Sequence, residues 1–204
     1  MSRPFILGLT GSIGMGKSAV ALMLRELGVP VFDADAAVHA LQGPGGALVP
    51  AIEAAFPGTT GPEGVLRQEL GARVFGNPGA LARLEAIVHP AVGRMREAFL
   101  IEHAGQPIVV FDIPLLFERG HGAGLDAVMV VSAPAAAQRA RVLARPGMTP
   151  DKFAHILDLQ VPDAEKRARA DFIVDTGVTL EETRAQVAAL IERIRSGAWQ
   201  KNPR

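Results

Sequence analysis

Residues 6–20 read "ILGLTGSIGMGKSAV", and within them Gly11, Gly16, Lys17 and Ser18 satisfy the spacing G-x-x-x-x-G-K-[ST]. That spacing suits the holding of a nucleotide's phosphates. The glycines let the backbone curl so that successive N–H groups turn inward on phosphate oxygens, and the helix that follows adds the partial positive charge of its N-terminus. The run Gly11, Ser12, Ile13, Gly14, Met15, Gly16, Lys17, Ser18 and Ala19 is therefore expected to form the cradle for ATP. Lys17 is placed for the outer phosphates and the Ser18 hydroxyl for Mg²⁺. "VVFD" ends in Asp112, a carboxylate closing an apolar strand, where a second group of the magnesium shell belongs. "VFDADAAVH" supplies Asp33 and Asp35 at the end of another strand. A carboxylate there can take the proton of an attacking hydroxyl. Either could instead cap the helix beginning near Ala36; Asp35 suits that cap, which leaves Asp33 as the catalytic candidate.

The elements that must position these groups follow from the apolar pattern. Five short apolar runs read as buried parallel strands, at 5–10, 29–35, 107–112, 126–132 and 171–175. Helical periodicity separates them. "SAVALMLRELG" sets Val20, Met23, Leu24 and Leu27 on one face and stops at Gly28, and "TLEETRAQVAALIERIR" opens with Thr179 and Glu182 in capping-box spacing. Strands alternating with helices predict an α/β fold with a five-stranded parallel sheet flanked by helices. The spacing is uneven. The interval between the second and third strands holds helical segments at 46–56, 67–75, 79–88 and 90–104 and no convincing strand. The expected division is a nucleotide-binding core (1–35, 105–144 and 171–204), a helical insertion for the acceptor (36–104) and a charged lid (145–170), all within one domain.

Composition narrows the partners. Of 204 residues, 21 are basic and 21 acidic, so net charge is zero and the basic excess of a nucleic-acid binder is missing. There is no cysteine, which excludes disulfides, thiolate chemistry and cysteine-bound zinc. The early apolar run flows straight into the glycine loop where a leader's cleavage site would stand, and no run approaches a membrane span. A cytoplasmic protein without membrane or nucleic-acid partners is expected, as a monomer or weak homo-oligomer. His39, His103, His121 and His155 lack metal-ligand spacing and read as surface or supporting residues.

No N-K-x-D base-reading motif occurs, which argues against a guanine-specific GTPase, and the chain has little room for a mechanical ATPase. A kinase for a small acceptor, with Asp33 as base and arginines in a lid, is favoured over an ATP-driven switch, which needs no acceptor base. The ordered set "GLTGSIGMGKS", "VFDAD", "LEAIVHP", "IVVFDIPLLFE" and "QRARVLAR…DLQ…EKRARADFIVDTG" resembles the dephospho-CoA kinase family over about residues 5–177. The resemblance implies the P-loop kinase fold and ATP-dependent phosphorylation of the ribose 3′-hydroxyl of dephospho-CoA, the last step of coenzyme A synthesis. It implies Asp33 as general base, Thr10, Asp33 and His89 on the acceptor side, and Arg139 and Arg145 closing over the phosphates.

Several residues depart from the family's usual pattern. Ser12 and Met15 stand where Gly and Ser are common, Pro146 follows the lid arginine in place of an acid, and Thr176 sits in a shortened "DTG". Met15 is expected to turn its side chain outward. Arg139 and Arg145 are read as lying on one side of their helix, Arg141 as a solvated charge, and Glu118 as a contact to a lid or acceptor group. Pro90 is expected to break the helix after His89. "ERGHGAGLD" reads as a mobile loop.

Overall fold

The computed structural model describes residues 3–118, 120 and 124–199; the centre of "ERGHGAGLD", with His121, lies outside the described residues. In chain order the elements begin β1 (Phe5–Thr10), α1 (Lys17–Glu26), β2 (Val31–Asp33), α2 (Ala34–Gln42) and α3 (Val49–Ala55). They continue with β3 (Thr60–Gly61), β4 (Gly64–Val65), α4 (Arg67–Val74), α5 (Pro78–Glu102), β5 (Ile108–Asp112) and β6 (Ala127–Ser132). The chain closes with α6 (Ala135–Leu143), α7 (Pro150–Asp158), α8 (Asp163–Arg169), β7 (Phe172–Asp175) and α9 (Leu180–Arg195). All five expected strands form, in a parallel sheet of order β2-β5-β1-β6-β7.

β1 is the centre strand because its residues are apolar on both faces. Leu7 and Leu9 are fully buried, and the strand pairs in parallel with β5 (Leu7 with Val110) and with β6 (Leu9 with Met129). α1 and α9 pack together over the sheet, contributing Val20, Leu24, Val187 and Ile191 to the core. Gly28 stops α1 as expected, with a left-handed φ of 72° that favours glycine. The capping box of α9 also forms: Thr179 accepts from the Glu182 N–H, and the Glu182 carboxylate accepts from the Thr179 N–H. Because the strands are parallel, the loops after β1, β5, β6 and β7 share the sheet's carboxyl edge, where open α/β sheets hold ligands.

The chain divides into two compact units, Met1–Phe32 with His103–Arg204, and Asp33–Glu102. The second has its own core of Leu48, Ile52, Phe56, Val65, Leu70, Ala80 and Ala91. Two expectations about it need correction. The hairpin of β3 and β4 was not foreseen, because strands of two residues show no alternation. It is braced by Glu53, whose carboxylate accepts from the Gly58 N–H and the Thr60 hydroxyl; these bonds hold its pKa below the usual carboxylate value. Pro90 does not break the helix after His89: α5 runs unbroken through it. The proline lacks the N–H that would bond the Ala86 carbonyl, a defect of about 3 kcal/mol in an isolated helix. α5 packs against α2, α3 and α4, on both sides of Pro90 in sequence through Leu84, Ile87, Val88 and Ala91, and that packing sustains the helix across the proline.

Candidate active site

The glycine loop leaves β1 at Thr10 and enters α1 at Lys17. Gly14 and Gly16 carry φ angles of 77° and 87°, and a Cβ at Gly14 would lie 2.4 Å from Val142, so neither position accepts a side chain. The loop closes on itself through the Met15 N–H, which donates to the Ser12 carbonyl. The N–H groups of Gly14, Gly16, Lys17 and Ser18 make no hydrogen bond to any described residue. Four free donors at the start of a ten-residue helix form an anion cradle. The Lys17 ammonium lies 2.5 Å from Asp112 Oδ1, and the Asp112 side chain is almost fully buried. Donor cradle, lysine and strand-end carboxylate are thus brought together as the spacing suggested.

The supports of this loop were largely missed by sequence reasoning. Met15 turns inward: it is 2% exposed, sits in the core, and its Sδ accepts the Ala133 N–H at 3.1 Å. The expectation that it points outward was wrong, because the space beneath the loop is apolar and a thioether fills it. Arg141, read as solvated, donates to the Thr176 carbonyl at 2.6 Å and to its hydroxyl at 3.1 Å. Thr176 is buried and donates to the Met15 carbonyl at 2.7 Å, so the "DTG" variant serves as a strut under the loop. Arg139 and Arg145 are exposed and make no side-chain hydrogen bond or ion pair with a described residue. Gln138 and Val142 face the loop; at about 100° per residue, Arg139 sits off that face, whereas Arg145 follows it just past the end of α6. The two arginines therefore do not share a side as read from the sequence.

Thr10 is fully buried and donates its hydroxyl to the Pro114 carbonyl at 3.2 Å, which ties the end of β1 to the segment after β5. Glu118 meets residues of the 145–170 segment. Its Oε1 accepts from the Val161 N–H and lies 2.7 Å from the ammonium of Lys166, a lysine with no exposed surface. Burial pushes the Glu118 carboxyl up, but the bonds from Lys166 and from the backbone outweigh it and hold the pKa below its usual value.

Asp33 and His89 belong to the second unit. Asp33, not Asp35, caps α2: its Oδ1 accepts the Ala36 N–H at 2.9 Å, and the helix starts two residues earlier than its apolar pattern implied. Oδ2 of Asp33 has no hydrogen-bond partner among the described residues. His89 lies exposed on α5. Among the described residues, no group of three or more His, Cys, Asp or Glu side chains could cage a metal by itself. No helix among them is long and apolar enough to cross a membrane.

Comparison with known proteins gives the family. Residues 5–182 match the family model described as dephospho-CoA kinase. A dephospho-CoA kinase of Novosphingobium aromaticivorans is 78% identical over 204 residues, the whole of both chains. The crystal structure of TT1252 from Thermus thermophilus is similar with a TM-score of 0.81 at 36% identity, covering 94% of this chain and 98% of that one. Dephospho-CoA kinase from Campylobacter jejuni, at 24% identity and a TM-score of 0.65, covers 95% of this chain and 98% of its own, and shares the fold. On a match of this length, the chain belongs to the dephospho-CoA kinase family, enzymes that phosphorylate dephospho-CoA with ATP in coenzyme A biosynthesis.

Proposed function

We propose that the chain moves the γ-phosphoryl group of ATP to the 3′-hydroxyl of the ribose in dephospho-CoA, giving coenzyme A and ADP, with the following division of labour. The observation that carries it is the loop's set of four free N–H groups beside the Lys17–Asp112 pair. Lys17 exchanges Asp112 Oδ1 for the outer phosphates when nucleotide arrives. Asp112 and the Ser18 hydroxyl would then hold Mg²⁺. Both are hard oxygen donors, and two protein groups with phosphate and water completing the shell suit this ion. Magnesium supplies charge neutralisation at the transferring phosphates.

Asp33 serves as general base through Oδ2, its other oxygen being held on the helix it caps. The second unit, with His89, is the acceptor-binding part. Residues 145–170 act as the lid, and Arg145 is the cation it brings to the phosphates; Arg139 plays the smaller part. Closure excludes water and leaves the acceptor hydroxyl as the one nucleophile in reach.

The test is ADP release compared across dephospho-CoA, AMP, CMP and shikimate. Turnover of one of the others at a rate equal to or above that with dephospho-CoA would overturn the assignment. Asp33→Asn isolates the base. Asparagine caps helices as well as aspartate does, so α2 survives. The expected loss in kcat is about 10²–10⁴-fold, the range for removing a general base, with ADP binding retained. A near-normal kcat would remove Asp33 from the chemistry.

A further inference from the structure

Ile13 is the loop residue whose two backbone groups are both taken by side chains. The Gln138 Nε2 donates to its carbonyl at 2.8 Å, and its N–H donates to the Gln160 Oε1 at 3.1 Å. The orientation of each amide is forced, because a carbonyl needs a donor and an N–H needs an acceptor. Gln138 is buried on α6, just ahead of the proposed lid; Gln160 follows α7, in the turn between α7 and α8 within it. The two glutamines thus grip the two peptide units on either side of Ile13, Gln138 from ahead of residues 145–170 and Gln160 from within them.

The consequence follows from planarity. A trans peptide points its N–H opposite to its C=O. With the Ile13 carbonyl held on Gln138, the N–H of Gly14 must point away from Gln138, and it is one of the four donors left free for phosphate. With the Ile13 N–H held on Gln160, the Ser12 carbonyl points the other way, and there it accepts the Met15 N–H at 3.1 Å. Both peptide planes flanking Ile13 are therefore set by side chains from outside the loop. We propose that Gln138 and Gln160 are positioning residues for the ATP half of the reaction. They fix the direction of the Gly14 N–H and tie the loop both to α6 and to the turn between α7 and α8.

The two amides play opposite hydrogen-bonding roles, which makes one substitution discriminate. A glutamate at 160 can still accept the Ile13 N–H, whereas an ionised glutamate at 138 cannot donate to the Ile13 carbonyl. The experiment measures KM for ATP and for dephospho-CoA, and ADP binding by calorimetry, in Gln138→Met, Gln138→Glu, Gln160→Met and Gln160→Glu. Calorimetry needs no acceptor, so it separates failure of this inference from failure of the acceptor assignment. Gln138→Met and Gln160→Met should each weaken ADP and raise KM for ATP about five- to tenfold, the effect of one lost hydrogen bond, with KM for dephospho-CoA unchanged. Gln160→Glu should recover at least half of that loss, and Gln138→Glu none. Should Gln138→Glu fail to fold, the contrast between Gln160→Met and Gln160→Glu still decides. Wild-type ADP affinity in Gln160→Met, equal impairment of Gln160→Met and Gln160→Glu, or an equal rise in both KM values would each overturn the proposal.

Discussion

Replacing Lys166 by methionine isolates the buried ion pair that joins α8 to the segment after β5. The Lys166 side chain is fully buried, and its ammonium lies 2.7 Å from a carboxylate that is itself 11% exposed. Without the ammonium, Glu118 Oε1 keeps only the Val161 N–H, and Oε2, buried without a partner, keeps nothing. An uncompensated buried carboxylate costs about 3–5 kcal/mol. At about 2–4 °C per kcal/mol for a chain of this size, the melting temperature should fall by about 6–20 °C. The variant Lys166→Met with Glu118→Gln removes both charges, while the amide oxygen introduced at position 118 still accepts from Val161. It should melt within about 5 °C of wild type, since neutral replacement of a buried pair is often neutral or stabilising. Differential scanning calorimetry reads both. A single variant melting within about 2 °C of wild type, or a double variant no better than the single, would refute the charge argument and leave only the packing of the lysine stem. Acid provides a second reading. The folded-state pKa of Glu118 is lowered, so its contribution is present above the ordinary carboxylate value near 4.3 and is lost as pH falls through the folded value. Wild type should therefore lose more stability than the double variant between about pH 5 and pH 3.

Two further outcomes test the loop's supports. Met15→Leu keeps the volume of the thioether but leaves the buried Ala133 N–H without an acceptor, so it should destabilise by about 1–3 kcal/mol in denaturant titration, and an unchanged midpoint would discount the N–H···S contact. Arg145→Ala should lower kcat at least tenfold more than Arg139→Ala, because only Arg145 follows the helix face that meets the loop; equal effects would show that position on α6 does not decide which arginine serves.

β1, β5 and β6 were legible because each is a short contiguous apolar run buried on both faces, too short for a helix. β7 was legible from its apolar run although its residues are alternately buried and exposed. The glycine loop was legible because its constraint is steric and local. The supports of that loop were not. Gln138 and Gln160 are uncharged amides, one 125 and the other 147 residues from Ile13, and nothing in their neighbours marks them. Arg141 looked like one charge among several; what sets it apart is Thr176, 35 residues on. Pro90 misled for the opposite reason. The local rule against proline in helices is sound, and here three neighbouring helices overrule it. The cap at the start of α2 shows how a boundary error moves a role: placing the helix start near Ala36 gave to Asp35 the cap that Asp33, the proposed base, supplies.

Met15 carries one last consequence, in the chemistry of oxidation. Peroxide converts exposed thioethers to sulfoxides readily, but Met15 is shielded from solvent while the loop keeps its shape. Met95 and Met148, both partly exposed, meet the oxidant first. The sulfoxide at Met15 thus forms only in molecules whose phosphate loop has opened. Its rate of appearance, followed peptide by peptide in a mass spectrometer, measures how often the resting enzyme lets its nucleotide cradle come apart. ATP should slow that clock without touching Met95.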